Sequence, residues 1–494
     1  MIEPFEETRK INQIISLGGY TGMTEKQFFE QQIILWLRSR ERKEQLTGER
    51  YYVGEQDILR RQRTAIGRDG KLEVVKNLPN NQIVDNQYAK AVDQKVNYLV
   101  GKPFTVKSQN EIYTKKLNEV FNSSFARTLN NVCEDSINGG VGWIFFYYDQ
   151  QGKPSFKRIP PFQLLPFWAD EEHTQLDCAV RVYPVEVWEG LEKRIIMKVE
   201  LYKPDGLWRY IYDTGELIPD IEAGEHEPYI TVADQSGESL AYNWVKIPLI
   251  PFKYNAKEIP LIRRVKSLQD SINMILSEWA NRMEEDPRKS IIVLTEYDGQ
   301  DLGEFRRNLS TYGAIKIRKD GGVSMLEIEV NSSNFEAILK MFKTKLIENA
   351  RAFDAKDDRM GNNPNQMNIQ SVYADMDLDA NGMEIEYQAA MEELVWFVNQ
   401  YLIQSGAGDF SGEKVTFVFN RDIMVNEGEI ITNISNSGNI LSRETLVEHH
   451  PFVTDAKLEM ERIEKEEQQS LEKALGYNNA FPSNNPKEQK NQEE

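Results

Sequence analysis

The spacing of apolar residues along the chain changes period several times, and those changes divide it. Thr24-Glu25-Lys26-Gln27 has the form of a capping box, and Phe28, Ile33, Leu35 and Trp36 follow amid charges, which predicts a helix from Thr24. A basic loop, Arg60-Arg61-Gln62-Arg63, and a turn, Arg68-Asp69-Gly70, come next. Asn80 to Gly101 reads as a helix with Ile83, Tyr88, Val92, Val96 and Leu99 on one side, stopped by Gly101-Lys102-Pro103. A second helical stretch covers Glu111 to Asn138. The period then shortens to that of strands at Trp143 to Tyr148, Ser155 to Ile159, Cys178 to Tyr183, Ile195 to Tyr202 and Trp208 to Tyr212. The turns Asp149-Gln150-Gln151-Gly152, Pro204-Asp205-Gly206 and Asp213-Thr214-Gly215 separate some of them, as in an antiparallel meander.

Helical spacing returns near Lys257 with Ile262, Val265, Leu268, Ile272, Ile275 and Trp279, until Asp286-Pro287 ends the run. A compact α/β insert follows: strand Ser290 to Leu294, helix Leu302 to Leu309, strand Ala314 to Ile317, turn Asp320-Gly321-Gly322 and strand Ser324 to Val330. A returning helix, Asn334 to Phe353, leads to a polar loop, Asp354 to Asn368. From Ile369 to Leu402 there is one long helical stripe, far beyond the roughly 11 residues of an average helix. Lys414 to Phe419 alternates as a strand, and short helices are expected near Glu427 to Ser435, Arg443 to Glu448 and Ala456 to Ala474. The tail from Asn478 to Glu494 has the composition of a disordered segment. The whole predicts an α+β fold in which two helices bracketing an insert make a stalk with a knob at its tip.

At 494 residues the chain is too long for one core, and two to four packed regions are expected. Its net charge of -19 argues against wrapping nucleic acid through a basic face, which needs clustered Lys and Arg. The two cysteines, Cys133 and Cys178, make no disulfide framework and point to a reducing compartment. Four His and no Cys pair at metal spacing leave a structural zinc site almost without ligands. The acidic N-terminus lacks a basic region followed by an apolar run, so no signal peptide is expected. No stretch approaches the roughly 18 apolar residues of a membrane span, and the protein is expected in the cytosol where it is made.

Catalytic signatures are missing: the chain has no phosphate-binding Gly-Lys-Ser/Thr loop, His-Glu-x-x-His, Gly-x-Ser-x-Gly or dinucleotide fingerprint. Asp377-Leu378-Asp379-Ala380-Asn381-Gly382 imitates the start of an EF-hand loop. The twelfth position is Gln388 rather than a bidentate Glu, and a helical stripe runs straight through the segment. Asp354, Asp357 and Asp358 could hold Mg²⁺ in a nuclease-like site, but Lys356 and Arg359 interleave and neutralise them. Gly139-Gly140-Val141-Gly142 precedes a strand, not a helix, so it reads as a turn or a tight packing point rather than a phosphate cradle. Arg263, Arg264, Lys266, Lys340, Lys343 and Lys345 flank the insert and could face phosphates. Local pairing, such as Glu336 with Lys340, is the commoner fate of such charges. Trp143, Tyr147 and Trp168 could stack on bases, although core or interface packing is more usual.

Several stretches, taken in order, resemble the portal proteins of tailed bacteriophages, of the siphophage head-to-tail connector type. Asp57 to Arg60, Asn77 to Asn81 and Val92 to Pro103 are similar to that family's N-terminal region, Ile159 to Pro166 to its strand region, and Ser267 to Asn273 to its first stem helix. One departure stands at Asn368-Ile369-Gln370-Ser371-Val372, where many relatives have a small Ser-Gly step. The resemblance spans about Gln56 to Ala474 and implies a dodecameric ring at one capsid vertex. It implies a wing of residues 1–256 and 369–425, stem helices 257–286 and 333–353, a clip 287–332, a tunnel loop 354–368 and a crown 426–475, leaving 476–494 as a disordered tail. It further implies no catalysis and no cofactor. The implied partners are further copies of the chain, the terminase large subunit, a head-completion or adaptor protein, the major capsid and scaffolding proteins, and double-stranded DNA in the channel. The implied location is the virion, and the host cytoplasm during assembly. On this reading Lys340, Lys343, Lys356, Arg359, Asn362, Asn363 and Gln366 are candidates for the DNA channel, and Tyr297, Asp298, Arg306, Arg307, Arg318 and Lys319 for docking at the clip. The competing readings are a metal-dependent nuclease using Asp354, Asp357 and Asp358, and another ring-forming minor capsid or adaptor protein.

Overall fold

The structure, a computed structural model, describes residues 23–66, 70–76, 78–233, 239–284, 291–295, 322–326, 332–354, 366–421, 427–453 and 456–479. These fall into two compact units, one within Met1–Asp354 and Ala374–Asp422, the other within Ala355–Tyr373 and Ile423–Glu494.

In the first unit, α1 (Glu25–Leu37) starts as its sequence predicts: Thr24 Oγ1 accepts from Gln27 N at 3.2 Å, and Gln27 Oε1 accepts from Thr24 N at 3.0 Å. After α2 (Arg40–Tyr52) come a small hairpin, β1 (Thr64–Ile66) and β2 (Leu72–Val74), and α3 (Gln87–Val100). The helix predicted from Asn80 therefore begins seven residues late, for a reason given with the stem below. Then follow β3 (Thr105–Ser108), α4 (Glu111–Val120) and α5 (Ser123–Gly139); the single helix predicted over Glu111 to Asn138 is broken where Asn122 caps α5.

The strands are β4 (Val141–Tyr148), β5 (Pro154–Ile159), β6 (Leu164–Trp168), β7 (Leu176–Glu189), β8 (Glu192–Lys203), β9 (Gly206–Asp213), β10 (Glu216–Pro219), β11 (His226–Glu227), β12 (Ile230–Ala233), β13 (Ser239–Tyr242) and β14 (Leu249–Lys253). β6 to β10 form an antiparallel meander, but the first two strands expected in it, β4 and β5, belong instead to a second antiparallel sheet, β14-β4-β5. β7 and β8 run well past Tyr183 and Ile195, where their sequence signal fades. Pro184 lies inside β7, but β6 starts at Leu164 opposite Arg181, so Pro184 lies past the paired part of that edge and costs no bond to β6.

The stem and later elements are α6 (Ile262–Glu284), β15 (Ile291–Thr295), β16 (Gly322–Leu326), α7 (Ser332–Ala350), α8 (Gln366–Gln404) and β17 (Val415–Val418). β15 pairs antiparallel with β16, and β17 with β3. The expected helix Leu302 to Leu309 and strand Ala314 to Ile317 lie outside the described residues. So does most of the polar loop; its last residues, Gln366 to Asn368, already belong to α8. The second unit holds α9 (Glu427–Ser437), α10 (Arg443–Glu448) and α11 (Ala456–Asn479), with Ser442 capping α10. The tail expected to be disordered from residue 476 begins as helix instead, because α11 runs on to Asn479; beyond Asn479 it lies outside the described residues.

In the first unit the main core gathers α3, α4, α5, β4, β14 and α8 around Tyr88, Phe125, Phe146, Tyr387 and Phe397. α1 lays Phe28, Phe29, Ile33 and Trp36 on Phe167, Val180, Val182, Val199 and Leu201 of the meander. Trp143 and Trp168, ring centroids 5.8 Å apart, are buried between the sheets, so the packing reading of these two rings holds. Gly140 has φ +87° and a Cβ there would strike the Glu258 carbonyl, while one on Gly142 would strike the Val132 carbonyl. The glycine run is a packing point, as its place before a strand suggests.

Candidate functional site

The end of α6 meets the start of α7, where Trp279 stacks on Phe335 at 4.2 Å, so the two helices run antiparallel on either side of the insert strands. The apolar stripe read from α6 is only half of what it buries. Gln269, Asn273, Ser277 and Asn281, four residues apart, are fully buried. They bind the backbone of residues 79–86, which runs along α6 with no regular secondary structure. Asn81 N donates to Asn281 Oδ1 at 2.6 Å, Ile83 N to Ser277 Oγ at 2.9 Å and Asp85 N to Asn273 Oδ1 at 3.0 Å. Gln269 closes the ladder: its Oε1 accepts from Tyr88 N at 3.0 Å and its Nε2 donates to Asp85 O at 2.7 Å. The match is geometric, because four helical residues rise about 6.0 Å and two extended residues about 6.6 Å. These bonds draw the backbone amides before Gln87 out of any helix, and Gln269 satisfies one of the amides that α3 leaves unpaired at its start.

Ion pairs tie the segment that precedes the strap to α6. Lys266 Nζ lies 2.6 Å from Asp57 and 2.7 Å from Asp270, and Arg50 lies 2.7 Å from Asp57. Burial pulls the Lys266 ammonium down, but Asp270 and Asp57 more than offset it and its pKa is raised. Arg61 of the basic loop pairs with Glu278 on α6, and Arg63 Nη1 donates to Pro79 O at 3.0 Å. That loop is an anchor for the stem rather than a free cationic patch.

The sequence model of the family described as "Phage portal protein, SPP1 Gp6-like" matches residues 35–473. The chain belongs to the phage portal protein family. It is 30% identical over 432 residues to the portal protein of Bacillus phage SPP1, covering 86% of this chain and 84% of that one. It is 23% identical over 457 residues to the portal protein of Clostridium phage phiCD119, covering 89% and 96% respectively. A solved structure, the neck of a native GTA particle computed with C12 symmetry, aligns over 73% of this chain and 88% of its own with a TM-score of 0.39 and 11% identity. That likeness is too weak to carry over any feature. Portal proteins are structural components of the virion, and among the described residues no helix is long and apolar enough to cross a membrane.

Of the residues expected in the portal channel, Lys340 is exposed on α7 with no ion-pair partner among the described residues. Lys343 is half-buried, its Nζ 2.6 Å from Asp85 on the strap. Gln366 is the first residue of α8. Lys356, Arg359, Asn362 and Asn363 lie outside the described residues, as do all six clip candidates: Tyr297, Asp298, Arg306, Arg307, Arg318 and Lys319. The other basic residues flanking the insert are paired: Arg263 with Glu44, Arg264 with Asp379, and Lys345 with Glu348 at 2.6 Å.

The EF-hand imitation is continuous helix within α8, and cations already occupy its acidic groups. Asp379 Oδ2 takes Lys95 Nζ at 2.7 Å and Tyr254 OH at 2.6 Å, while Arg264 and Arg351 approach Oδ1 at 3.5 and 3.3 Å. Burial opposes ionisation of Asp379, yet Lys95 and Tyr254 hold its carboxyl below the ordinary value. Arg421 pairs with Asp377 and Glu384. Among the described residues no group of three His, Cys, Asp or Glu could hold a metal ion; Asp357 and Asp358 lie outside them.

Sequence reasoning missed the strap and its ladder, although the signal was present: Gln, Asn, Ser and Asn at strict four-residue spacing on a helix whose other positions already carried the apolar stripe.

Proposed function

We propose that twelve copies of this chain close into a ring at one capsid vertex, through which double-stranded DNA is packaged and ejected. The observation that carries this is the family match from residue 35 to 473, which takes in α6, the insert and α7 as one block. On this reading residues 257–286 and 333–353 are the stem and 287–332 the clip, which receives the terminase large subunit during packaging and a head-completion or adaptor protein afterwards. The polar stretch up to residue 365 forms the tunnel loop around the DNA, 426–475 the crown, and 1–256 with 369–425 the wing, facing the major capsid and scaffolding proteins. A net charge of -19 per copy favours a channel that lets DNA slide, because it offers little of the phosphate neutralisation that would hold it. The conduit does no chemistry: terminase supplies the work.

The test is mass photometry with ring-averaged negative-stain images of the purified chain, together with an ATPase assay. A large ring with a central hole and no ATP turnover is expected. A monomer that cleaves DNA with Mg²⁺ would replace this reading with the nuclease one.

A further inference from the structure

The β7–β8 hairpin outruns its support. α1 covers the two strands as far as Val182 and Val199, and beyond them the paired strands continue to a tip at Gly190, whose φ is +66°. The projecting end sets exposed apolar side chains among its charged ones. Trp188 and Ile195 are 69% and 65% exposed, Leu191 at the tip is 97% exposed, and Val185 and Val187 are half-buried. Three large apolar side chains exposed together at one tip, Trp188, Leu191 and Ile195, make a knob of the kind that a partner commonly covers. One charge pair closes within the hairpin, Lys193 Nζ lying 2.7 Å from Glu186.

At the other end of the same sheet lies a receptive surface. A groove of about 680 Å³ is lined by Phe145, Tyr147, Tyr148, Leu207, Tyr229 and Tyr401, beside the Arg209–Glu227 ion pair. Leu207 pairs with Tyr202, ten residues along β8 from the tip at Glu192. At about 3.3 Å per residue, knob and groove are about 33 Å apart on one hydrogen-bonded sheet. A hairpin cannot fold back across its own sheet to fill that groove. A second copy, set head to tail, brings a knob to each groove. Two different patches meeting in this way make a heterologous contact, the type that generates a ring when the rotation closes.

We propose that the tip of the β7–β8 hairpin docks in the aromatic groove of the neighbouring copy and is a principal subunit contact of the assembly. This rests on the ring reading above. The experiment compares wild type with Trp188→Ser/Leu191→Asp by mass photometry; both positions are exposed, so an unchanged melting temperature is expected and shows that the variant folds. The ring population should fall about tenfold or more, as for loss of an interface anchor. Separately, Leu191→Cys with Ser405→Cys, treated with a short bismaleimide, should give a ladder of covalent multimers that neither single variant gives. Cys133 and Cys178 are buried and stay silent. Intact rings from the first variant overturn the inference, as do crosslinks that stop at dimers. Intact rings that fail to enter capsids would also overturn it, and would assign the hairpin to the capsid protein. A wild type that forms no rings would sink the ring reading itself.

Discussion

A methyl group added at Gly382 and one added at Gly140 should have opposite effects. Gly382 sits inside α8 with nothing within 4 Å of where its Cβ would be, so Gly382→Ala removes backbone freedom from the unfolded chain without a clash. It should raise stability by about 0.5–1 kcal/mol. Gly382→Pro removes a helical hydrogen bond and adds a ring clash, at a cost of about 3 kcal/mol or more. Gly140→Ala meets both a left-handed backbone and the Glu258 carbonyl, and should lose at least as much. Denaturant unfolding of the three variants checks the ranking; a neutral Gly382→Pro would place that residue in a loop and reopen the calcium reading.

Between elements, the decisive contacts are the ones that hydrophobic periodicity does not report. Asn273→Ala leaves Asp85 N without its acceptor inside a buried contact, and should cost about 1–3 kcal/mol. Amide exchange at Asp85 should quicken more than at residues of α3, which distinguishes a loosened strap from general destabilisation. A second element-level prediction concerns Glu393 on α8, whose carboxyl burial pushes up from 4.5 to about 7, opposed only by Lys246. The folded state therefore holds this proton more tightly, so stability falls as pH rises from about 4.5 to about 7 and stays reduced above. Glu393→Gln should raise the melting temperature at pH 8 and leave it nearly unchanged at pH 4. An equal shift at both pH values would rule out the titration.

Most elements were legible because each advertises itself locally: the capping box at Thr24, the turn glycines of the meander, and the long stripe of α8. Three were not. Residues 80–86 carry apolar spacing that suits a helix, and only the amides and hydroxyl on α6, nearly 200 residues away, decide otherwise. β7 runs on past Tyr183, where the expected strand ended, and Pro184 is tolerated inside it only because of where β6 happens to begin. The cations flanking the insert were expected to pair locally, and Lys266 and Lys345 do, with Asp270 and Glu348; but Lys266, Lys343, Arg263 and Arg264 also reach Asp57, Asp85, Glu44 and Asp379 on other elements, which no local pattern announces.

At the scale of the whole molecule, each copy carries a charge of -19, and assembling like-charged copies works against itself at low salt. Raising ionic strength from about 0.05 M to about 0.5 M shortens the screening length to a few ångströms and should shift monomers toward rings in mass photometry. Rings that instead dissolve with salt would mean that intersubunit ion pairs dominate the contact. Shortening residues 361–366 tests the proposed tunnel loop. This polar stretch has few apolar anchors, so its loss should spare ring formation while impairing packaging or retention of DNA in assembled proheads. Full packaging would make it an idle connector. The ladder on α6 also orders events in time. Residues 81–85 leave the ribosome nearly 200 residues before Asn281 does, an interval of about 10–40 s at ordinary synthesis rates. For that interval their amides lack the acceptors they meet in the folded protein, and this contact stays unmade until the stem has been synthesised.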